Sequence, residues 1–264
     1  MNRIIKTFET LKRSGRKGLV GYMTAGDPDV ETSLKNILAA VEHGLDVLEL
    51  GVPFSDPLAD GATIQASSYK ALQNGVTVRD CLDVAIAVRK ESDAALLLMG
   101  YTNPFLTYGF DRLVRDSSQA GLDGFIVPDL PPDEAGEFEE ALQGHDLSIV
   151  YMVAPTTDDS RLKTVVSHAD GFLYCVSLAG TTGGEQLDEG IDDFLARIRR
   201  QTAVPLVVGF GISRPDHMAS LRGKADGAII GSRFVRLVDE APDDGRIEAA
   251  RSFVQSMVEA ARGG

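Results

Sequence analysis

The chain has 264 residues, of which 44% are hydrophobic and 25% are charged, and its formal net charge at pH 7 is −13. This acidic balance argues against a nucleic-acid-binding surface, which needs a basic stripe, and against binding to an anionic membrane. The first residues lack the apolar segment of a secretory signal, and no run of about 18 apolar residues occurs, so we expect a cytoplasmic protein.

The apolar pattern alternates between strands and helices along the chain. An opening segment carries apolar side chains at helical spacing, and we expect this helix to plug or flank the floor of a barrel. Eight strands are predicted, at 18–24, 46–51, 95–99, 123–127, 148–153, 170–176, 205–209 and 227–230. Helices are predicted at 29–43, 62–72, 78–91, 158–167 and 232–238. Three more helices are bounded at one end only: one ends at 142, one ends at about 200 and one begins near 215.

The strands are nearly continuous apolar runs, which is typical of a parallel sheet covered on both faces. The predicted fold class is therefore α/β, a single-domain (β/α)8 TIM barrel over residues 1–264 with an extra N-terminal helix. An open, doubly wound sheet is the alternative.

One strand contains a carboxylate that its apolar surroundings do not explain. Val47 and Glu49 share one face of the second strand, so this face carries an acid into a core. A proline-punctuated loop follows and presents Asp56 and Asp60. This arrangement is typical of general acid–base chemistry, although backbone capping by Glu49 and turn formation by the aspartates would explain the same residues.

Three glycine-bearing loops follow the last three strands, at 180–184, 209–213 and 231–233. Glycine lets backbone N–H groups approach an anion closely, and Ser232 would begin a short helix whose positive end favours negative charge. In a barrel of this type, these loops predict a phosphate site.

Other catalytic groups are not expected at the strand ends. No lysine ends a predicted strand, so imine chemistry is not expected. The four histidines fall at predicted helix ends or in connections on the other side of the strands, so we expect no metal site. The remaining acid–base candidates are Glu49, Asp60 and Asp129.

Residues 49–61, which read ELGVPFSDPLADG, closely resemble the pattern of the tryptophan synthase alpha chain family. The likeness continues in family order at 24–28, 99–104, 127–131, 179–183, 208–213 and 227–232. The resemblance implies a lyase of tryptophan biosynthesis that cleaves indole-3-glycerol phosphate to indole and glyceraldehyde 3-phosphate. It also implies that Glu49 is the general acid–base and that Asp60 holds the indole N–H.

The resemblance further implies residues that bind the substrate. The phosphate would be held by Gly183, Gly211, Gly231 and Ser232. The indole pocket would be lined by Tyr22, Ile64, Leu98, Tyr101, Tyr174, Phe210 and Ile230, although ordinary barrel core remains an equal reading for these side chains. Thr182 would steady Asp60, and Asp129 is retained as a substrate-binding candidate.

The same resemblance implies a partner. The loop 53–60 and the segment around 103–105 resemble the surface that receives the beta chain, in an alpha-beta-beta-alpha heterotetramer. Pyridoxal phosphate would then lie in the partner, with no cofactor in this chain. Two departures from the common pattern, Ala62 and Leu178, lie beside the catalytic groups and concern loop rigidity and closure.

Two alternatives remain open on the sequence. One is a catalytically silent phosphate-binding barrel that regulates a partner subunit. The other is a different barrel enzyme of the same pathway. The phosphate loops would suit such an enzyme, but residues 49–61 would not.

Overall fold

The computed structural model describes residues 2–176, 190–209 and 211–262. Within them, nine strands pair in parallel. They are β1 (Gly18–Thr24), β2 (Val47–Gly51), β3 (Ala95–Met99), β4 (Gly124–Ile126), β5 (Ser148–Val150), β6 (Met152–Val153), β7 (Leu173–Val176), β8 (Leu206–Gly209) and β9 (Gly227–Ile230).

The sheet closes into a ring. Its order is β5-β4-β3-β2-β1-β9-β8-β7-β6, and the two terminal strands of this order are separated in the chain only by Tyr151. Tyr174 N donates to Tyr151 O at 3.0 Å across this interruption. β5 and β6 are thus the two halves of the predicted fifth strand, and the predicted eight-membered α/β barrel is confirmed.

Twelve helices lie around the ring or against its floor in the described ranges. They are α1 (Arg3–Ser14), α2 (Val30–Glu42), α3 (Ala62–Gln73), α4 (Val78–Glu91), α5 (Thr102–Tyr108), α6 (Phe110–Ala120), α7 (Gly136–Leu142), α8 (Asp159–His168), α9 (Ile191–Arg199), α10 (Pro215–Ser220), α11 (Ser232–Glu240) and α12 (Arg246–Arg262). No helix in these ranges combines the length and apolarity that a membrane crossing needs.

Three of these helices, α5, α6 and α12, had no counterpart in the sequence analysis. α5 and α6 are separated only by Gly109, whose φ of +91° breaks the helix, and Pro104 lies in the first turn of α5. Proline at a helix start and glycine at a break are also turn signals, which is why the segment between β3 and β4 was not predicted as helical.

The opening helix α1 plugs the floor of the barrel, as predicted. Ile4, Phe8 and Leu11 are buried in the same cluster as the inward side chains of the strands. The Phe8 ring lies 5.5 Å from that of Phe172. Asn2 fixes the start of the helix, since its side chain accepts from Ile4 N at 2.9 Å and donates to Asp123 O at 2.7 Å.

An aspartate just before a strand sets the register with its neighbour at three places around the floor. Asp46 accepts from Leu19 N at 2.9 Å, and Asp123 accepts from Leu96 N at 2.8 Å. Asp226 accepts from Leu206 N at 2.8 Å. Each of these carboxylates is also paired with a guanidinium, from Arg16, Arg89 and Arg199 respectively.

Strand register decides which side chains enter the barrel. Glu49 is paired with Tyr22 on one side and with Leu97 on the other, so all three point inward. Leu48 and Leu50 point outward, into the large cluster between sheet and helices. The predicted two-sided character of this strand is therefore confirmed.

Candidate active site

A cavity of about 480 Å³ opens at the carboxyl ends of the strands, where barrels of this kind carry their sites. It contains two carboxylates, two tyrosines, an apolar wall and a basic side. Its lining residues are Tyr22, Glu49, Asp60, Gly61, Ile64, Met99, Tyr174, Gly211, Ile212, Ser213, Arg214, Ile229, Gly231, Ser232, Arg233 and Arg236.

Glu49 projects into this cavity from the inward face of β2 and is 1% exposed. Its Oε1 atom has no hydrogen-bond partner among the described residues. Burial, and then the charge of Asp60, raise the pKa of Glu49 from 4.5 to about 8. A carboxyl with this pKa is mostly protonated at neutral pH and can both give and take a proton there.

Asp60 enters the cavity from the loop that follows β2. Burial raises its pKa from 3.8 to about 6, and a hydrogen bond from the Tyr101 hydroxyl opposes that rise. Tyr101 Oη also accepts from Ala59 N at 2.9 Å, which ties the loop down next to Asp60. At neutral pH the site therefore holds a protonated carboxyl beside an ionised carboxylate, a pair suited to separate acid and electrostatic roles.

Two tyrosines form the walls because the facing positions carry no side chain. A Cβ on Gly51 would lie 2.2 Å from Tyr22 Oη, and a Cβ on Gly209 would lie 2.2 Å from the Tyr174 ring. The glycines let each ring lie flat across the neighbouring strand. The tyrosines bound a flat apolar space next to Glu49.

The opposite side of the cavity is suited to an anion. Gly211 has a φ of +80°, and Gly231 immediately precedes α11, whose first residue is Ser232. The first N–H groups of a helix have no intrahelical acceptor and face outward, with the positive end of the helix dipole. Arg214 and Arg233 line the same side. Backbone donors and guanidinium groups together match a phosphate.

His217 supports this loop, which corrects the sequence analysis. The histidine was expected on the far side of the strands, but it is 6% exposed and its Nδ1 lies 2.7 Å from Gly211 O. Ser213 N also approaches Nδ1, at 3.3 Å, but the contact with the carbonyl is much shorter and a carbonyl only accepts, so we assign the proton to Nδ1, which donates to Gly211 O. Its Nε2 then accepts from Arg214 Nη2 at 3.2 Å. His217 therefore orients a cavity arginine and holds the loop.

The structure brings most of the predicted site residues into this one cavity. Eight line it: Glu49, Asp60, Tyr22, Ile64, Tyr174, Gly211, Gly231 and Ser232. Three others, Thr182, Gly183 and Phe210, lie outside the described residues.

Leu98 and Ile230 do not line the cavity, and their predicted place in the indole pocket is corrected. Both are fully buried in the layer between sheet and helices. Successive strand residues point to opposite faces, so their neighbours Met99 and Ile229 take the lining positions. The prediction was displaced by one residue in each strand.

Asp129 and Tyr101 also lie elsewhere than expected. The exposed Asp129 carboxylate accepts from Thr102 N at 2.9 Å and from Thr102 Oγ1 at 3.0 Å, which fixes the start of α5 and leaves Asp129 outside the cavity lining. Tyr101 stands behind Asp60 and acts on it through its hydroxyl.

Met99, Ile229, Arg214 and Arg236 were missed by the sequence analysis. For Met99 no local signal existed, because β3 reads ALLLM without a polar residue, and only the pairing of Leu97 with Glu49 shows that Met99 lies on the inward face. For the arginines no signal existed, since a guanidinium after a strand is as often solvated.

Comparison with known proteins agrees with this geometry. The family model for the tryptophan synthase alpha chain matches residues 8–262. A tryptophan synthase alpha chain of Chloroflexus aggregans is 45% identical over 262 residues, covering 98% of both chains. One of Desulfosudis oleivorans is 46% identical over 256 residues, covering 96% of this chain and 97% of the other.

Solved structures show the same fold. A tryptophan synthase alpha chain from Legionella pneumophila superposes with a TM-score of 0.91 at 38% identity, covering 99% of this chain and 97% of the other. A Mycobacterium tuberculosis tryptophan synthase structure gives a TM-score of 0.93 at 34% identity, covering 100% and 99%.

Proposed function

The chain belongs to the tryptophan synthase alpha chain family, and from this premise we propose how its cavity cleaves indole-3-glycerol phosphate to indole and glyceraldehyde 3-phosphate. The observation that carries the proposal is the pairing of Glu49 and Asp60 in one cavity with a basic, glycine-rich far side. A retro-aldol step needs a proton donor, a proton acceptor and a group that stabilises the departing carbanion equivalent.

Glu49 carries both proton transfers in this proposal. The protonated carboxyl gives its proton to C3 of the indole ring, and the resulting carboxylate takes the proton of the side-chain hydroxyl. The bond between C3 and the glycerol carbon then breaks, and its electrons return to the ring. Glu49 ends the cycle protonated, which agrees with a pKa raised to about 8.

Asp60 stabilises the intermediate. Protonation at C3 places positive charge on the indole nitrogen, and an ionised carboxylate that accepts its N–H favours that charge. The Tyr101 hydroxyl supports this role because it favours the ionised form of Asp60. The glycerol phosphate then extends to Gly211, Gly231 and Ser232, where backbone N–H groups receive the anion.

The cavity supports acid–base rather than imine chemistry. None of its described lining residues is a lysine. Residues 177–189 contain no lysine either. The proposal therefore assigns no covalent intermediate and no cofactor to this chain.

A beta-chain partner fits the surface beside the site. Leu58 is 93% exposed and Leu106 is 53% exposed, in the loop after β2 and in α5 respectively. Both leucines lie on the segments that the resemblance assigns to the beta-chain surface, which supports this proposal. Tyr101 links both segments to Asp60. We propose that this partner carries pyridoxal phosphate and that the two kinds of chain form an alpha-beta-beta-alpha heterotetramer in the cytoplasm. Residues 1–264 would form one domain of that complex.

The test is release of indole from indole-3-glycerol phosphate, followed with and without a beta chain. We expect indole in both mixtures and none with Glu49→Gln. Absence of indole from the wild-type chain in both mixtures would leave the silent regulatory barrel as the better reading.

A further inference from the structure

Two arginines of α11 lie on the anion side of the cavity without a carboxylate partner. Arg233 and Arg236 both line the cavity, together with Ser232, which begins the helix. They are three positions apart, so they share one face of α11 and repel each other. Arg236 Nη2 donates to Thr63 Oγ1 at 3.0 Å, and neither guanidinium pairs with a carboxylate among the described residues. The mechanism above receives the phosphate on backbone N–H groups and uses neither side chain.

The first turn of a helix is an unfavourable place for a cation, because the helix dipole is positive there. Other helices of this chain compensate for such a charge. Every other arginine in the first four residues of a described helix pairs with a carboxylate: Arg3 with Asp123, Arg79 with Asp83, Arg112 with Asp116, Arg161 with Asp133 and Arg246 with Asp243. Arg233 departs from this pattern, and an anion bound in the cavity would complete it.

The nearest acid on α11 does not serve this pair, because Asp239 Oδ1 pairs with Lys70 Nζ at 2.5 Å. The bond to Thr63 instead holds Arg236 across the gap between α11 and α3, which begins directly after Gly61 of the cavity lining. This bond uses one N–H donor of the guanidinium. The other donors of Arg236 have no acceptor among the described residues, so they remain to receive a ligand.

Building on the function proposed above, we propose that Arg233 and Arg236 are specificity-determining residues that select a phosphate carrying two negative charges. The backbone N–H groups at Gly211 and Gly231 hold the phosphate oxygens. The two guanidinium groups supply the full positive charge that offsets the second negative charge. Thr63 keeps Arg236 oriented for this role.

A second charge can be selected because the phosphate of the substrate is a monoester. Such a group loses its second proton near about pH 6 and is mostly a dianion at neutral pH. Backbone N–H groups at a helix start carry only partial charges, whereas a guanidinium carries a full charge and forms charge-assisted hydrogen bonds with phosphate. The arginine pair also counteracts the repulsion of an anion by a chain whose net charge is −13.

The test compares the binding of two probes at pH 7.5 by isothermal titration calorimetry. Glycerol 3-phosphate represents the phosphate end of the substrate with two charges, and its phosphate methyl ester represents the same end with one fixed charge. Arg233→Gln and Arg236→Gln each keep N–H donors and remove the charge. We expect each variant to bind glycerol 3-phosphate about tenfold more weakly. The methyl ester should bind about threefold more weakly, because the Coulomb energy is proportional to the charge of the ligand.

The ratio of the two affinities is the decisive quantity, because it cancels the steric effect of the methyl group. A ratio that is unchanged in both variants, or a wild-type chain that binds neither probe, would overturn the proposal. Arg79→Gln is the matched control, since Arg79 is the second residue of α4 as Arg233 is of α11, and it pairs with Asp83. It should change neither affinity.

Two further variants separate charge from position. Arg236→Lys keeps the charge and should retain most of the preference for glycerol 3-phosphate. Thr63→Val removes the acceptor that holds Arg236 but no charge, so its loss should be smaller than that of Arg236→Gln. A loss in Arg236→Lys as large as in Arg236→Gln would contradict a role of the charge.

Thermal unfolding separates ligand recognition from a merely structural role. Without ligand, Arg233→Gln should raise Tm by about 1–3 °C, because it removes a cation from the positive end of a helix. With saturating glycerol 3-phosphate the wild type should be the more stable protein. A lower Tm of the variant in both conditions would overturn the proposal. Since neither measurement needs turnover, selection of the doubly charged probe by a chain that releases no indole would leave this inference standing and remove the proposed function.

Discussion

Replacing Glu49 by glutamine should abolish activity and at the same time stabilise the protein in a pH-dependent way. Glutamine keeps the shape of the side chain but exchanges no proton. Because Glu49 carries both proton transfers, kcat should fall by about 10³-fold to 10⁴-fold. KM should stay within a few-fold, since the substrate's phosphate and indole ring are held by other groups.

The stability effect follows from the raised pKa. The Glu49 pKa is 4.5 in the unfolded chain and about 8 in the folded protein. The unfolded chain therefore releases this proton first, and the wild type loses stability as pH rises above 4.5, until the loss levels off above pH 8. At about 1.4 kcal/mol per pKa unit, the loss is about 3 kcal/mol at pH 7. Glutamine has no such loss.

Urea unfolding of both proteins between pH 4 and pH 8 measures this difference. The stability of Glu49→Gln minus that of wild type should grow by about 3 kcal/mol between pH 4.5 and pH 7, which is roughly 6 °C in Tm. Comparing across pH removes any constant effect of the amide itself. Glu9→Gln, at an exposed position on α1, should show no such growth. A difference that stays flat with pH would refute the reasoning about Glu49.

Three further predictions test the other parts of the site. Asp60→Asn should lower kcat by at least about 10²-fold with normal folding, because the charge on the indole nitrogen loses its counterion; normal indole release would contradict that role. Tyr101→Phe should move the acidic limb of the kcat/KM profile to higher pH, because Asp60 loses the donor that opposes its raised pKa; an unmoved limb would count against this. Leu98→Ala should cost about 2–5 kcal/mol of stability, measured by urea unfolding, with little change in KM. Met99→Ala should mainly raise KM. The reverse pattern would contradict the inward face assigned to Met99.

The barrel was predictable because its signals are local. Apolar runs and turn residues marked the strands, and Glu49 fixed the orientation of β2, since a carboxylate among apolar residues identifies the special face of its strand. β9 carries no such marker among Gly227, Ala228, Ile229 and Ile230, so nothing local separates its inward from its outward residues. The resemblance placed Ile230 in the pocket, and no local signal in β9 could show that Ile229 takes the lining position instead.

The rest of the site depends on distant parts of the chain. The Tyr101 contact with Ala59 spans 42 residues, and the Ser67 contact with Asp27 spans 40. No spacing rule connects such positions, because the barrel brings them together only after the strands have paired. The support of the Gly211 loop by His217 was therefore visible only in three dimensions.

The position of β1 between β2 and β9 has a consequence for synthesis of the chain. Leu19 pairs with Ala228, more than 200 residues later. While the ribosome is still extending the chain, one edge of β1 must wait with its backbone groups unpaired, and such edges invite association with other chains. Nascent-chain pulldowns should find the greatest chaperone occupancy before Gly227–Ile230 leaves the exit tunnel, followed by a sharp release once the ring can close.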